Sequence, residues 1–208
     1  MKSRVTGGVR RRLPCLLCLV VLAGCGGGSD SEPVTVPKGF TVRTVEKPSF
    51  SLALPAAWRS FGDRSHTSAR KVAGNNERLR TELETLAGSD SPIKLVAVDP
   101  AAGRRFYTNM NVLQTQVPSK LSFDDMVRTE TTQISRASGV KDIRQQVTGV
   151  PAGRTLRLTY RPRANAVVQQ YFVRHGDLLY VLTYTTRAAD AARSAKTFDQ
   201  SAHTFQVG

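Results

Sequence analysis

The chain has 208 residues, 30 of them Lys or Arg and 16 Asp or Glu, giving a formal net charge of +14 and an isoelectric point near 10.4. With 40% hydrophobic and 22% charged residues, 16 Gly and 10 Pro, the composition excludes a collagen-like or wholly disordered chain. One domain of about 150–170 residues is expected, large enough to bury a core without disulfides or metals.

Residues 1–12 hold Lys2, Arg4, Arg10, Arg11 and Arg12 and no acid, and residues 13–24 form an apolar run interrupted only by Pro14. A membrane-spanning helix needs about 20 apolar residues. The shorter run is therefore expected to be the core of a secretory signal behind its basic lead. It ends in Leu22-Ala23-Gly24-Cys25. This ending resembles the lipobox of bacterial lipoproteins, which implies a diacylglycerol on the Cys25 sulfur, cleavage before Cys25 and acylation of the new amine. The alternative is a plain secretory signal cut nearby, with Cys25 incidental. Cys15 and Cys18 have redox-pair spacing but lie within the signal core, where no polar neighbour stabilises a thiolate.

Removal of residues 1–24 leaves Cys25 as the only cysteine, so no internal disulfide is expected. Twenty-five basic and 16 acidic residues remain, a formal +9. Residues 25–39, rich in Gly, Ser, Asp and Pro, read as the lipidated cysteine and a flexible tether, and a dozen such residues reach about 17–21 Å. The expected location is the extracytoplasmic face of the cell membrane, with acyl chains supplying the attachment.

The domain proper is expected over 40–208. Alternation predicts strands at Phe40–Val45 and Phe50–Leu54. Residues 67–87 are expected to form one helix, with Val72, Leu79, Leu83 and Leu86 on a stripe that Asn76 interrupts. Strands follow at Ile93–Val98 and Met110–Val117. A second helix opens at Ser122, whose side chain can accept from orphan backbone N–H groups, with Asp124 and Asp125 at the positive end of the dipole. Phe123, Met126, Val127, Ile134 and Ala137 trace its apolar face, and it ends near Gly139. Residues 154–185 read as an antiparallel three-strand meander. Leu156, Leu158 and Tyr160 alternate with Thr155, Arg157, Thr159 and Arg161, and Gly176-Asp177 makes the second turn. An alanine-rich helix over about 188–202 closes the chain, with Ala191, Ala195, Phe198, Ala202 and Phe205 on one stripe.

The run Phe50-Ser51-Leu52-Ala53-Leu54-Pro55-Ala56-Ala57-Trp58 resembles the opening signature of PsbP-like domains. The end of the chain is similar too: a hydrophobic strand from Tyr180 to Tyr184, a helix with Phe198, and Phe205-Gln206-Val207. With the lipobox, the whole resembles PsbP-like lipoproteins of high-G+C bacteria, including the LpqN-type group. The resemblance implies an α+β fold, an α/β/α sandwich with a central antiparallel sheet over about 40–208. It also implies a protein that binds other proteins or assists assemblies, and it transfers no catalytic set.

After residue 24 there is no Gly-x-Ser-x-Gly elbow, His-Glu-x-x-His helix or phosphate-cradling glycine loop. His66, His175 and His203 lack a partner at ligand spacing, so surface or capping roles are expected, and neither cofactor nor metal is called for. Asp63, Ser65 and His66 are close in sequence only, and catalytic triads converge in space.

The basic residues are more informative. Arg157 and Arg161 share a strand face, with Arg163 just beyond and Arg174 on the next strand. Together they form a candidate patch for phosphate or carboxylate groups. The alternative is a solvated face in a chain with 22 Arg to 8 Lys. An exported chain points away from nucleic acid and toward an envelope protein, anionic lipid or polymer. The expected function is a membrane-anchored, non-catalytic binding or assembly module. The alternative is a carrier holding a small apolar ligand between sheet and helix.

Overall fold

The computed structural model describes residues 34–47, 49–62, 67–86, 91–102, 108–137 and 139–208. Strand β1 (Phe40–Glu46) pairs antiparallel with β2 (Ser49–Pro55), as the alternation predicts. Residues 37–39, at the end of the expected tether, are already held: Phe40 N–H donates to the Pro37 carbonyl and Ala56 N–H to that of Gly39. Short β3 (Arg59–Phe61) follows.

The single helix expected over 67–87 is instead two: α1 (Ala69–Ala73) and α2 (Glu77–Leu86). Gly74 ends α1 at φ 59°, a left-handed conformation that glycine adopts without steric cost. Asn76 then starts α2, its Oδ1 accepting from Leu79 N–H at 3.0 Å. The residue that interrupts the apolar stripe is thus the cap of a new helix.

Strands β4 (Ile93–Val98) and β5 (Asn109–Gln116) precede α3 (Phe123–Arg136). Ser122 Oγ accepts from Asp125 N–H at 3.1 Å and donates to the Asp125 carboxylate, a reciprocal N-terminal cap. Then come β6 (Lys141–Val150), β7 (Gly153–Arg163), β8 (Ala166–His175) and β9 (Leu178–Arg187). Helix α4 (Ala191–Ala202) and β10 (Gln206–Val207) close the chain. The meander is present as β7–β8–β9, and Gly176 at φ 59° makes the two-residue turn between His175 and Leu178. Strand β6 was not anticipated.

Seven strands form one antiparallel sheet in the order β3-β4-β5-β9-β8-β7-β6, and β1-β2-β10 form a smaller one. The period-2 alternation of each strand sends its side chains to two separate cores. On the front face Leu95, Met110, Val112, Tyr171, Val173, Tyr180, Leu182 and Tyr184 pack against the small sheet and α4. On the back face Leu156, Leu158, Phe172, Leu179 and Val181 pack against Met126 of α3. Val96 and Val98 of β4 meet α1 and α2 on that same back face. This is an α+β fold with helices on both faces of a central antiparallel sheet, and the small sheet shares the front with α4.

The front core joins the two ends of the chain. Phe50 lies 5.8 Å from Tyr180 and 5.7 Å from Phe205, and Phe198 stacks on Tyr184 at 4.9 Å with Trp58 edge-on at 6.5 Å. Each such side chain contributes about 1.5–3 kcal/mol by leaving water. The last turn of α4 is stitched to β2 through Ala53, whose carbonyl accepts from Ser201 Oγ and whose N–H donates to Thr204 Oγ1, both at 2.7 Å. Most of the large apolar residues that carry the PsbP-like resemblance, from Phe50, Leu52, Leu54 and Trp58 to Tyr180, Leu182, Tyr184, Phe198 and Phe205, therefore form one contiguous core.

Candidate functional site

The four arginines singled out in the sequence do not form one patch. Arg157 lies on the front face, where its Nη1 reaches Asp199 Oδ1 of α4 at 2.8 Å. That oxygen also accepts from Gln169 Nε2 at 2.8 Å and from the Tyr171 hydroxyl. With its guanidinium so occupied, Arg157 clasps α4 to β7 and β8. Arg161 is about half exposed and faces Asp142 at 3.7 Å. Arg163 lies beyond a bulge in β7, opposite Ala166, and is exposed. Arg174 has the parity of Phe172 and so lies on the back face. There its Nη2 donates to the Ser119 carbonyl at 2.8 Å and its Nε to that of Gly176 at 3.0 Å. It ties the β8–β9 turn to the approach of α3. Cys25 lies outside the described residues.

The missed strand β6 supplies what the patch lacked. Arg144 is exposed and sits opposite Thr159, two residues before Arg161. By sequence, β6 and β7 carry Lys141, Arg144, Arg154, Arg157, Arg161 and Arg163 against a single acid, Asp142. Arg144 and Arg163 have no ion-pair partner among the described residues. Arg154 is anchored over the Phe123 ring at 4.3 Å and faces Asp124 at 3.6 Å. The margin of the sheet is thus rich in guanidiniums on both faces, with Arg144 and Arg157 on the front and Arg154 and Arg163 on the back.

Clefts also lie elsewhere among the described residues. One, of about 430 Å³, is lined by Trp58, Phe198, Thr108, Ser194, Thr197, Arg187 and Arg193 among others. Both lining arginines are held by Asp190, at 2.7 and 2.9 Å. A second, of about 490 Å³, lies between the α1–α2 link and Pro100. Neither is lined by a histidine or cysteine among the described residues.

His66 lies outside the described residues. His175 is exposed beside its turn, and His203 sits at the C-terminus of α4 with Nδ1 2.7 Å from the Asp199 carbonyl oxygen. No group of three potential metal ligands occurs among the described residues. The tyrosine acid–base shifts belong to packing: burial pushes Tyr160, Tyr171, Tyr180 and Tyr184 upward, and the Asp199 carboxylate adds to the effect at Tyr171. What the β6–β7 margin can do chemically is bind: guanidiniums offer forked donors to carboxylate or phosphate oxygens.

No protein-family model matches the chain, and no curated protein is similar to it in sequence. Solved structures are similar to it in fold. The PsbP protein CyanoP of Synechocystis sp. PCC 6803 superimposes with a TM-score of 0.55 at 13% identity, over 90% of this chain and 99% of that one. The Ran-binding protein Mog1p of Saccharomyces cerevisiae gives 0.50 at 12% identity, over 81% and 95%. A point mutant of the protein Mog1 gives 0.51 at 11% identity over the same shares. The chain therefore has the fold shared by PsbP and Mog1.

Proposed function

We propose that this chain is a lipid-anchored, extracytoplasmic, non-catalytic module of the LpqN-type lipoprotein group. It holds a protein or an anionic envelope component against the β6–β7 margin. The observation that carries the reading is the concentration of guanidiniums there, with Arg144 and Arg163 lacking an ion-pair partner among the described residues and Asp142 the only acid in the sequence of the two strands. The basic lead, short apolar core and Leu22-Ala23-Gly24-Cys25 support the anchor. No described helix is long and apolar enough to cross a membrane; in this reading the acyl chains on Cys25 supply attachment. Mog1p, described as a Ran-binding protein, provides a precedent for protein recognition on this fold. Filled cores weigh against the carrier reading: Met126, Leu156, Leu158, Phe172 and Leu179 between sheet and α3 are all 0–2% exposed.

The test uses the full chain in detergent. Charge reversal of Arg144, Arg161 and Arg163 to Glu should abolish capture by envelope extract immobilised at low salt, and added salt should weaken wild-type capture. Undiminished capture by the triple variant would remove the margin from consideration. Separately, Cys25→Ser should move the protein from the membrane fraction to the soluble one, and retention would contradict the anchor.

A further inference from the structure

Among the described residues the sheet has one long open edge. In the strand order β6 is outermost on one side, while the opposite edge is the three-residue β3. From Arg144 to Val150 β6 keeps unbroken register with β7, and no described strand pairs with its other side. In an antiparallel pair alternate residues aim their N–H and C=O groups away from the partner. Such a row is a template for a further strand unless something blocks it.

The blocking is confined to one end. A bulge between Lys141 and Arg144, with Asp142 in the left-handed region at φ 55°, ends regular pairing there. Between Arg144 and Val150 there is no proline and Arg144 is the only charge. Val147 is 47% exposed, an apolar side chain left at the rim. The flanking charge then decides what can dock. A second copy of the chain would bring another net-positive body, formal +14 over the full sequence, up to this basic margin, and like charge opposes that association. An acidic strand meets the margin favourably. A strand added about 4.8 Å from β6 puts its front-facing side chains one spacing from Arg144, within reach of a guanidinium.

We infer that the β6 edge receives an extended acidic polypeptide segment of another protein as an eighth strand. Main-chain hydrogen bonds give the affinity, and a carboxylate of the added strand facing Arg144 gives the selectivity. This rests on the reading of the margin as the binding face and names the partner's chemistry.

The experiment measures binding of a fluorescein-labelled nonapeptide of alternating Glu and Val to the full chain in detergent, by fluorescence anisotropy and by hydrogen–deuterium exchange. A control peptide of equal charge carries Pro in place of two Val residues. The Glu-Val peptide should bind about tenfold more tightly than the Pro peptide, because proline removes ladder donors. It should also slow amide exchange over 144–150. Arg144→Glu should weaken it about fivefold and strengthen binding of the corresponding Lys-Val peptide, a charge-swap rescue that a misfolded variant would not give. Equal binding of both acidic peptides without slowed exchange in β6 overturns strand addition and leaves a purely electrostatic margin. Binding of neither, with vesicles of phosphatidylglycerol captured in an Arg144-dependent manner, overturns it in favour of a lipid surface. Concentration-dependent protection of 144–150 without peptide overturns it in favour of self-pairing.

Discussion

Replacing Asp199 by Ala removes the acceptor on which Arg157, Gln169 and Tyr171 converge. Tyr171 is fully buried, so an orphaned hydroxyl there costs about 1–3 kcal/mol. The Gln169 amide keeps the Tyr171 oxygen as an acceptor and loses less. The Arg157 side chain is 30% exposed, so water replaces part of its pairing, and that contribution is about 0–1 kcal/mol. The expected loss is about 2–3 kcal/mol in urea unfolding, or a Tm lowered by about 4–12 °C for a domain of this size. Arg157→Met should cost less, under about 1 kcal/mol. In a Tyr171→Phe background the Asp199 substitution should cost about 1–2 kcal/mol less than in wild type, since the hydroxyl is no longer there to be stranded. A loss below about 0.5 kcal/mol for Asp199→Ala, or a larger one for Arg157→Met, would refute the clasp and return Arg157 to the candidate surface.

Gly62 sits at φ 97° with the Lys94 carbonyl oxygen 2.3 Å from where a Cβ would stand; Gly62→Ala should therefore destabilise by well over 1 kcal/mol, and an unchanged melting curve would speak against that backbone. Ser122→Ala removes the α3 cap and should cost about 1 kcal/mol, measured by the same unfolding experiment, with Ser122→Thr, which keeps a hydroxyl to accept from Asp125 N–H and donate to its carboxylate, restoring most of it. Burial raises Tyr160, Tyr171, Tyr180 and Tyr184 above the ordinary phenol value of 10.0. The neutral phenols thus contribute stability that is complete below about pH 10 and lost as pH rises through their folded-state values. Absorbance at 295 nm should rise together with loss of near-ultraviolet dichroism; ionisation of every tyrosine near pH 10 with dichroism intact would contradict this packing.

The meander was legible because Leu156, Leu158, Phe172 and Val181 alternate with residues of the other core, and because Gly176 marks its turn. The cap at Ser122 was readable from local chemistry alone. Strand β6 was not. As an edge strand it exposes Arg144, Gln145, Gln146 and Val147 in succession, so it lacks the half-buried alternation that identifies a strand, and only its bounds, Gly139 and Pro151, hint at it. The break at Gly74 was visible as a flaw in the stripe, but a continuous helix fitted the remaining apolar positions. The distribution of the four arginines over two faces is something no single strand reveals. Whether Arg174 shares a face with Arg157 depends on the register between β7 and β8, and Tyr171, not Arg174, is the residue opposite Arg157. Asp199, the residue that decides the role of Arg157, is 42 positions away in sequence.

The most direct measurement places a photo-crosslinking amino acid at Val147 in intact cells and, as a control, at Val42, an equally exposed position on β1 (both 47% exposed). A discrete protein adduct should form from position 147, be absent from position 42, and disappear when Arg144 and Arg161 are changed to Glu. Adducts that are the same from both positions, or that persist through the charge reversal, would show that the arginine margin is not where this protein meets its partner.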